Sequence, residues 1–188
     1  MFYAFLILLL ALILYVVAYN IYIYNRFIRL DNMVKEAWSD VNVQLKRRYT
    51  LIPNLVEIVK GYMKHESKTL KDIVAMRNSA MHRVTPAQKE EPENQITETL
   101  KHLFVVVENY PELKSSDQFR ELSNNLVDIE NTLQFARRYY NATVRNYNIA
   151  LHSFPSNLLA SFLKLADKNY FEIAPMETKN ITVKLYEK

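Results

Sequence analysis

The first 25 residues contain no charged side chain, and the opening nineteen, MFYAFLILLLALILYVVAY, are almost wholly apolar. As a helix such a run covers about 28 Å, close to the roughly 30 Å hydrocarbon thickness of a bilayer. Tyr15, Tyr19, Tyr22 and Tyr24 crowd its carboxyl end, where amphipathic rings favour the headgroup layer. A cleaved leader would carry a basic start, a shorter apolar run and a small-residue cleavage site. None of these is present, so the segment reads as an uncleaved membrane anchor. Arg26, Arg29 and Lys35 follow it and no Lys or Arg precedes it. The positive-inside rule then places the amino terminus outside and the rest of the chain in the cytoplasm.

All 24 Lys and Arg and all 20 Asp and Glu therefore fall after residue 25, for a net charge of +4. That remainder is as polar as an ordinary soluble domain. The single glycine, Gly61, excludes Gly-rich phosphate-cradling loops. The lack of cysteine excludes disulfides, thiol nucleophiles and Cys-ligated zinc. One glycine and six prolines are too few turn residues for an all-β chain. The expected fold class is all-α: an N-terminal transmembrane helix followed by an antiparallel bundle of about four long helices.

The apolar spacing supports this. From Arg26 to Ile52 neither Gly nor Pro intervenes, and Leu30, Val34, Ala37, Trp38, Val41 and Leu45 keep helical intervals. A second stretch carries Ile52, Leu55, Val59, Tyr62, Ile73, Met76 and Ala80, with Pro53 suited to its first turn. A third has Ile96, Leu100, Leu103, Val107 and Tyr110. The fourth is the most regular: Leu122, Leu126, Ile129, Leu133, Ala136, Tyr140, Thr143 and Tyr147, with Ser115 and Gln118 as a capping box at its start. The segment VTPAQKEEPENQ, residues 84–95, reads as a loop. A short helix after Pro155 and a tail, whose Ile181, Val183 and Leu185 suit a small strand or an extended arm but which on its length reads equally as disordered, complete the chain. The expected division is an anchor at 1–25, a bundle at 26–163 and a tail at 164–188.

Charge is segregated: residues 42–83 sum to +6 and residues 84–134 to −6. Packing of complementary helix rims explains this, and a basic strip receiving an acidic partner is the sharper alternative. Lys46, Arg47 and Arg48 form the densest basic cluster. With Arg138 and Tyr139, further round the fourth helix, they make a candidate interaction surface. The plainer reading of the cluster is pairing with acids on neighbouring helices. Glu130 and Arg137, one heptad apart, flank the core stripe, as charges that set helix register do.

Catalytic signals are sparse. The four histidines are scattered, no H-x-x-x-H or Glu-x-x-His spacing occurs, and Glu98 with His102 reads as a surface pair. Glu66 falls on an apolar stripe beside His65. A polar contact is the plainer role, and with Arg137 the two residues define a candidate polar pocket. Gly61 inside a helix costs about 1 kcal/mol against alanine, which a close helix crossing would explain. No cofactor or metal is expected. Nucleic acid fits poorly, given the small net charge and the lack of a recognition motif.

The run EAWSDVNVQLKRRYTLIPNLVEIVKGYMKHE (36–66), the run NTLQFARRYYNATVRNYNIALHSFPSNLLASFL (131–163) and YFE (170–172) resemble the LemA family. The resemblance implies a bacterial single-pass protein of the plasma membrane, with a small outside terminus and a cytoplasmic helical bundle. It supplies no molecular activity and no catalytic residue. Some relatives are associated with membrane organisation, including the magnetosome. Asn42 stands where an aspartate is common, and the chain has its own ending after Glu172. The combined expectation is a non-enzymatic scaffold that contacts lipid through residues 1–25 and binds a protein partner or itself. A small-ligand sensor or enzyme with a polar inter-helix pocket is one alternative, and a self-assembling membrane organiser another.

Overall fold

The computed structural model describes residues 1–63 and 67–172, and within them every regular element is a helix. In chain order they are α1 (Phe2–Tyr62), α2 (Ser67–Met81), α3 (Pro86–Val107), α4 (Pro111–Ser115), α5 (Asp117–His152) and α6 (Ser156–Phe162). The expected arm at Ile181–Leu185 lies outside the described residues. The described residues fall into two compact units, Met1–Leu51 with Glu121–Tyr170, and Ile52–Arg120 with Phe171 and Glu172.

In the first unit, α1 and α5 pair antiparallel. Phe27 meets Tyr147 edge-on at 6.1 Å, and Trp38 packs on Tyr140 at 5.3 Å. Further along, Arg48 of α1 reaches Glu130 of α5. The periodic residues named from the sequence supply the packed faces: Val34, Ala37, Val41 and Leu45 on α1, and Leu122, Leu126, Leu133, Tyr140, Thr143 and Tyr147 on α5 are buried. After α5 the chain turns, forms α6 and closes it with a Schellman cap. Leu165 N–H donates to the Ala160 carbonyl (3.0 Å), and Lys164 N–H to that of Ser161 (3.1 Å). Lys164 takes the left-handed conformation this cap requires, at φ 53°.

In the second unit, α2 packs against α3. Thr99 of α3 donates a hydrogen bond to the Met76 sulfur at 3.5 Å, and Phe104 meets Phe119 at 6.4 Å. Phe171 is fully buried in this unit.

Four local expectations are corrected. Pro53 does not open a helix but lies inside α1. Ile52 and Leu55 beside it are fully buried, so packing of its flanks outweighs the backbone hydrogen bond that proline removes. Residues 86–95 are not a loop but the first turns of α3. Thr85 accepts from Gln88 N–H while the Gln88 side chain accepts from Thr85 N–H, a capping box with Pro86 in the first turn. Lys89 and Glu93 then extend the buried stripe of Ile96, Leu100, Leu103 and Val107 at three- and four-residue intervals. Ser115 caps nothing on α5; its hydroxyl donates to the Glu112 carbonyl at 3.0 Å and closes α4. Gly61 marks no helix crossing, since an added Cβ there would meet nothing within 4 Å.

Candidate functional site

Three features of the first unit carry functional content. The earliest is the start of α1. The 15 large apolar side chains between Met1 and Val17 all stand exposed, and one 18-residue window of the helix is apolar enough to cross a membrane and buries nothing. Burial begins abruptly at Ile23 and Phe27, each 4% exposed. One helix therefore has two environments, an outward apolar segment and a packed one.

Next to that boundary lies a polar clasp. Asp31 of α1 receives Lys35 and, at 2.7 Å, Lys168 from the segment after α6. Asn148 of α5 holds the Lys168 backbone from both sides: its amide donates to the Lys168 carbonyl (3.0 Å) and its oxygen accepts from Lys168 N–H (2.9 Å). The Tyr140 hydroxyl donates to the Asn169 carbonyl at 2.8 Å, and His152 pairs with Asp167 at 2.7 Å. Burial pushes the Asp31 carboxyl up, but the hydrogen bonds and charges of Lys168 and Lys35 outweigh it and hold the group below its ordinary value. Burial pushes the Tyr140 phenol up to about 12. The segment 164–170, the start of the expected tail, is thereby tied to α1 and α5.

Deeper along the pair, Arg48 is fully buried and ion-paired with Glu130. Its departure from the expected surface cluster has a simple geometry: residues 41, 45, 48 and 52 share one face, whereas 46 and 47 point away. Arg48 is therefore removed from the candidate interaction surface. Lys46, Arg47, Arg138 and Tyr139 are exposed. Arg138 lies over the Phe135 ring at 4.5 Å, and Phe135 is itself exposed, an aromatic neighbour the sequence reading did not single out. Of the candidate polar pocket, His65 and Glu66 lie outside the described residues, and Arg137 is buried in the first unit.

A groove of about 440 Å³ does open between α1 and α5, lined by Gln44, Arg47, Asn125, Asp128 and Thr132 among others. The Gln44 side-chain oxygen is buried there with no hydrogen-bond partner. These polar residues sit beside the core stripe, where sequence alone reads a solvated flank. Among the described residues, no three His, Asp or Glu side chains gather as metal ligands would.

The architecture defines an all-α protein whose long first helix begins as an apolar, membrane-length segment and ends packed against a helical body. The chain belongs to the LemA family, whose model matches residues 37–185. It is similar to Protein LemA of Metamycoplasma hominis, 24% identical over 84% of this chain and 72% of that protein. It is also similar to Magnetosome protein MamQ 2 of Paramagnetospirillum magneticum, 34% identical, and to Magnetosome protein MamQ of Magnetospirillum gryphiswaldense, 30% identical. Each of those two matches covers 47% of this chain, and the chain spans only a third of the magnetosome proteins' length.

Proposed function

We propose that the chain is a single-pass membrane-anchored scaffold, with the start of α1 as its anchor and an exposed face of the first unit as its partner surface. The exposed apolar run of α1 carries the reading. Left in water, each of those 15 large side chains would forgo roughly 1.5–3 kcal/mol of burial. A bilayer removes that cost, and 21 helical residues, Phe2–Tyr22, cover about 32 Å. Arg26 and Arg29, exposed just past the apolar run, favour a cytoplasmic body in a bacterial plasma membrane. The magnetosome proteins among the relatives agree with a role at membranes.

Phe135, Arg138 and Tyr139 on α5, with Lys46 and Arg47 on α1, supply the exposed aromatic and basic side chains that anchor protein interfaces. The test is crosslinking in intact membranes from single cysteines at Lys46→Cys and Arg138→Cys. A discrete product with another protein is expected. Exclusive self-crosslinking would replace the scaffold reading with self-assembly, and no product from either site would contradict the surface.

The unpartnered Gln44 oxygen in the polar groove favours the small-ligand alternative. A ligand that raises the melting temperature of the full chain, and fails to do so for Asp128→Ala, would establish it.

A further inference from the structure

The second apolar surface of the first unit lies at α6. On α6, Leu158 and Phe162 are 65% and 83% exposed and, four residues apart, share one face; Phe154, 80% exposed, stands in the turn before the helix. Ser156 and Ala160 turn the opposite way and are buried. The Ser156 hydroxyl donates to the Ala150 carbonyl at 2.6 Å and to that of Ser153 at 2.9 Å, which holds the start of α6 against the end of α5. Two bulky apolar side chains are thus presented outward by a helix that is itself anchored inward, beside an exposed phenylalanine in the turn that leads into it.

The contacts of α5 fix where this face lies along α1. Tyr147 stands opposite Phe27, and α5 runs on to His152, five residues or about 7.5 Å further toward the start of α1. His152 is therefore level with residues near Tyr22. At that level His152 meets Asp167, and Lys168 and Asn169 then step back to Asn148 and Tyr140. Ser156, held to Ala150 and Ser153, keeps the start of α6 at the end of α5 and so near the level of Tyr22. Arg26 and Arg29 of α1 and Lys164 beyond α6 are exposed in the same zone.

We propose that α6 is a second membrane contact: Phe154, Leu158 and Phe162 enter the headgroup and upper acyl layer of the same bilayer, with Arg26, Arg29 and Lys164 facing anionic lipid. The inference rests on the proposed insertion of α1. Its occupant is lipid because the apolar face continues the level at which the anchor's tyrosine belt ends. Exposed apolar side chains with Lys and Arg nearby are what interfacial segments present to a membrane. The segment would make the body rest on the bilayer at two points, fixing its tilt instead of leaving it to swing on α1.

The experiment uses the full chain, free of native cysteine, in vesicles of phosphatidylcholine and phosphatidylglycerol. Single variants Leu158→Cys, Phe162→Cys, Leu10→Cys and Val43→Cys carry an environment-sensitive fluorophore. Quenching is read with lipids labelled shallow or deep in the acyl chain. Probes at Leu158 and Phe162 should be quenched by the shallow lipid at least about twofold more than the probe at Val43, while Leu10 responds to the deep lipid. A quenched Leu10 probe with Leu158 and Phe162 at the Val43 level overturns the α6 contact and leaves the anchor standing. Unquenched probes at all three positions overturn both, whereas quenching at Leu158 and Phe162 alone upholds α6 and removes the span. A blue-shifted but unquenched probe on α6 overturns the proposal in favour of a protein partner on that face.

Discussion

A guanidinium taken out of water, as that of Arg48 is, must recover its hydration from partners inside the fold. Glu130 is such a partner, and its removal takes a charged partner from a buried guanidinium. Glu130→Ala should lower unfolding stability of the full chain in detergent by about 3–5 kcal/mol, while replacing both residues, Arg48→Met with Glu130→Leu, should cost much less. Urea titration of the two variants checks this, and equal losses would show that the pair is incidental. Tyr140 offers a pH test. Its phenol is held up to about 12 by burial, against about 10 in an unfolded chain. The fold favours the protonated form, so this contribution is complete below pH 10 and is lost as pH rises toward 12. Emission of Trp38, the one tryptophan and a packing neighbour of Tyr140 at 5.3 Å, should report the loss, and Tyr140→Phe should abolish that alkaline step. The buried role of Arg48 was legible in principle. It falls at the three- and four-residue interval between Leu45 and Ile52, but two basic neighbours made it look like part of a solvated cluster. Arg137, between Leu133 and Tyr140, repeats the pattern.

Elements were most legible where apolar periodicity was unbroken. The stripe on α5 from Leu122 to Tyr147 packs as its spacing requires, and α6 begins where Pro155 allows. Charge misled at α3, because Lys89 and Glu93 occupy core-stripe positions that a hydrophobic pattern omits. The Thr85–Gln88 capping box and Pro86 in the first turn mark that helix's true start. Helix ends also carry small, separable energies. Gly61 lies in the last turn of α1 with open space where a Cβ would go, so Gly61→Ala should stabilise the chain by roughly 0.5–1 kcal/mol. Lys164 pays for its left-handed geometry, so Lys164→Gly should gain a similar amount, up to about 1 kcal/mol. Thermal unfolding of each variant against the parent checks both, and a destabilised Gly61→Ala would mean that the site is crowded. The polar clasp of Asp31, Asn148, Tyr140 and Lys168 was not legible, because it pairs the Asp31 and Lys168 side chains across more than 100 residues and ties Asn148 and Tyr140 to backbone groups 20 and 29 residues on.

At the scale of the whole molecule, α1 has two environments: its large apolar side chains up to Val17 are exposed, while Ile23, Phe27 and the stripe beyond them are packed. Family membership names no chemistry, and the proposed scaffold role rests on where the helical body is held. The most direct test is accessibility along α1 in a bacterial membrane preparation. Single cysteines at Leu10→Cys, Val17→Cys and Arg26→Cys in the full chain are exposed to a water-borne maleimide after permeabilisation. Arg26→Cys should label readily while Leu10→Cys and Val17→Cys stay unlabelled, since lipid would shield a segment that the protein leaves bare. Labelling of Leu10→Cys as fast as Arg26→Cys would contradict the anchor and, with it, the placement of the body at the membrane.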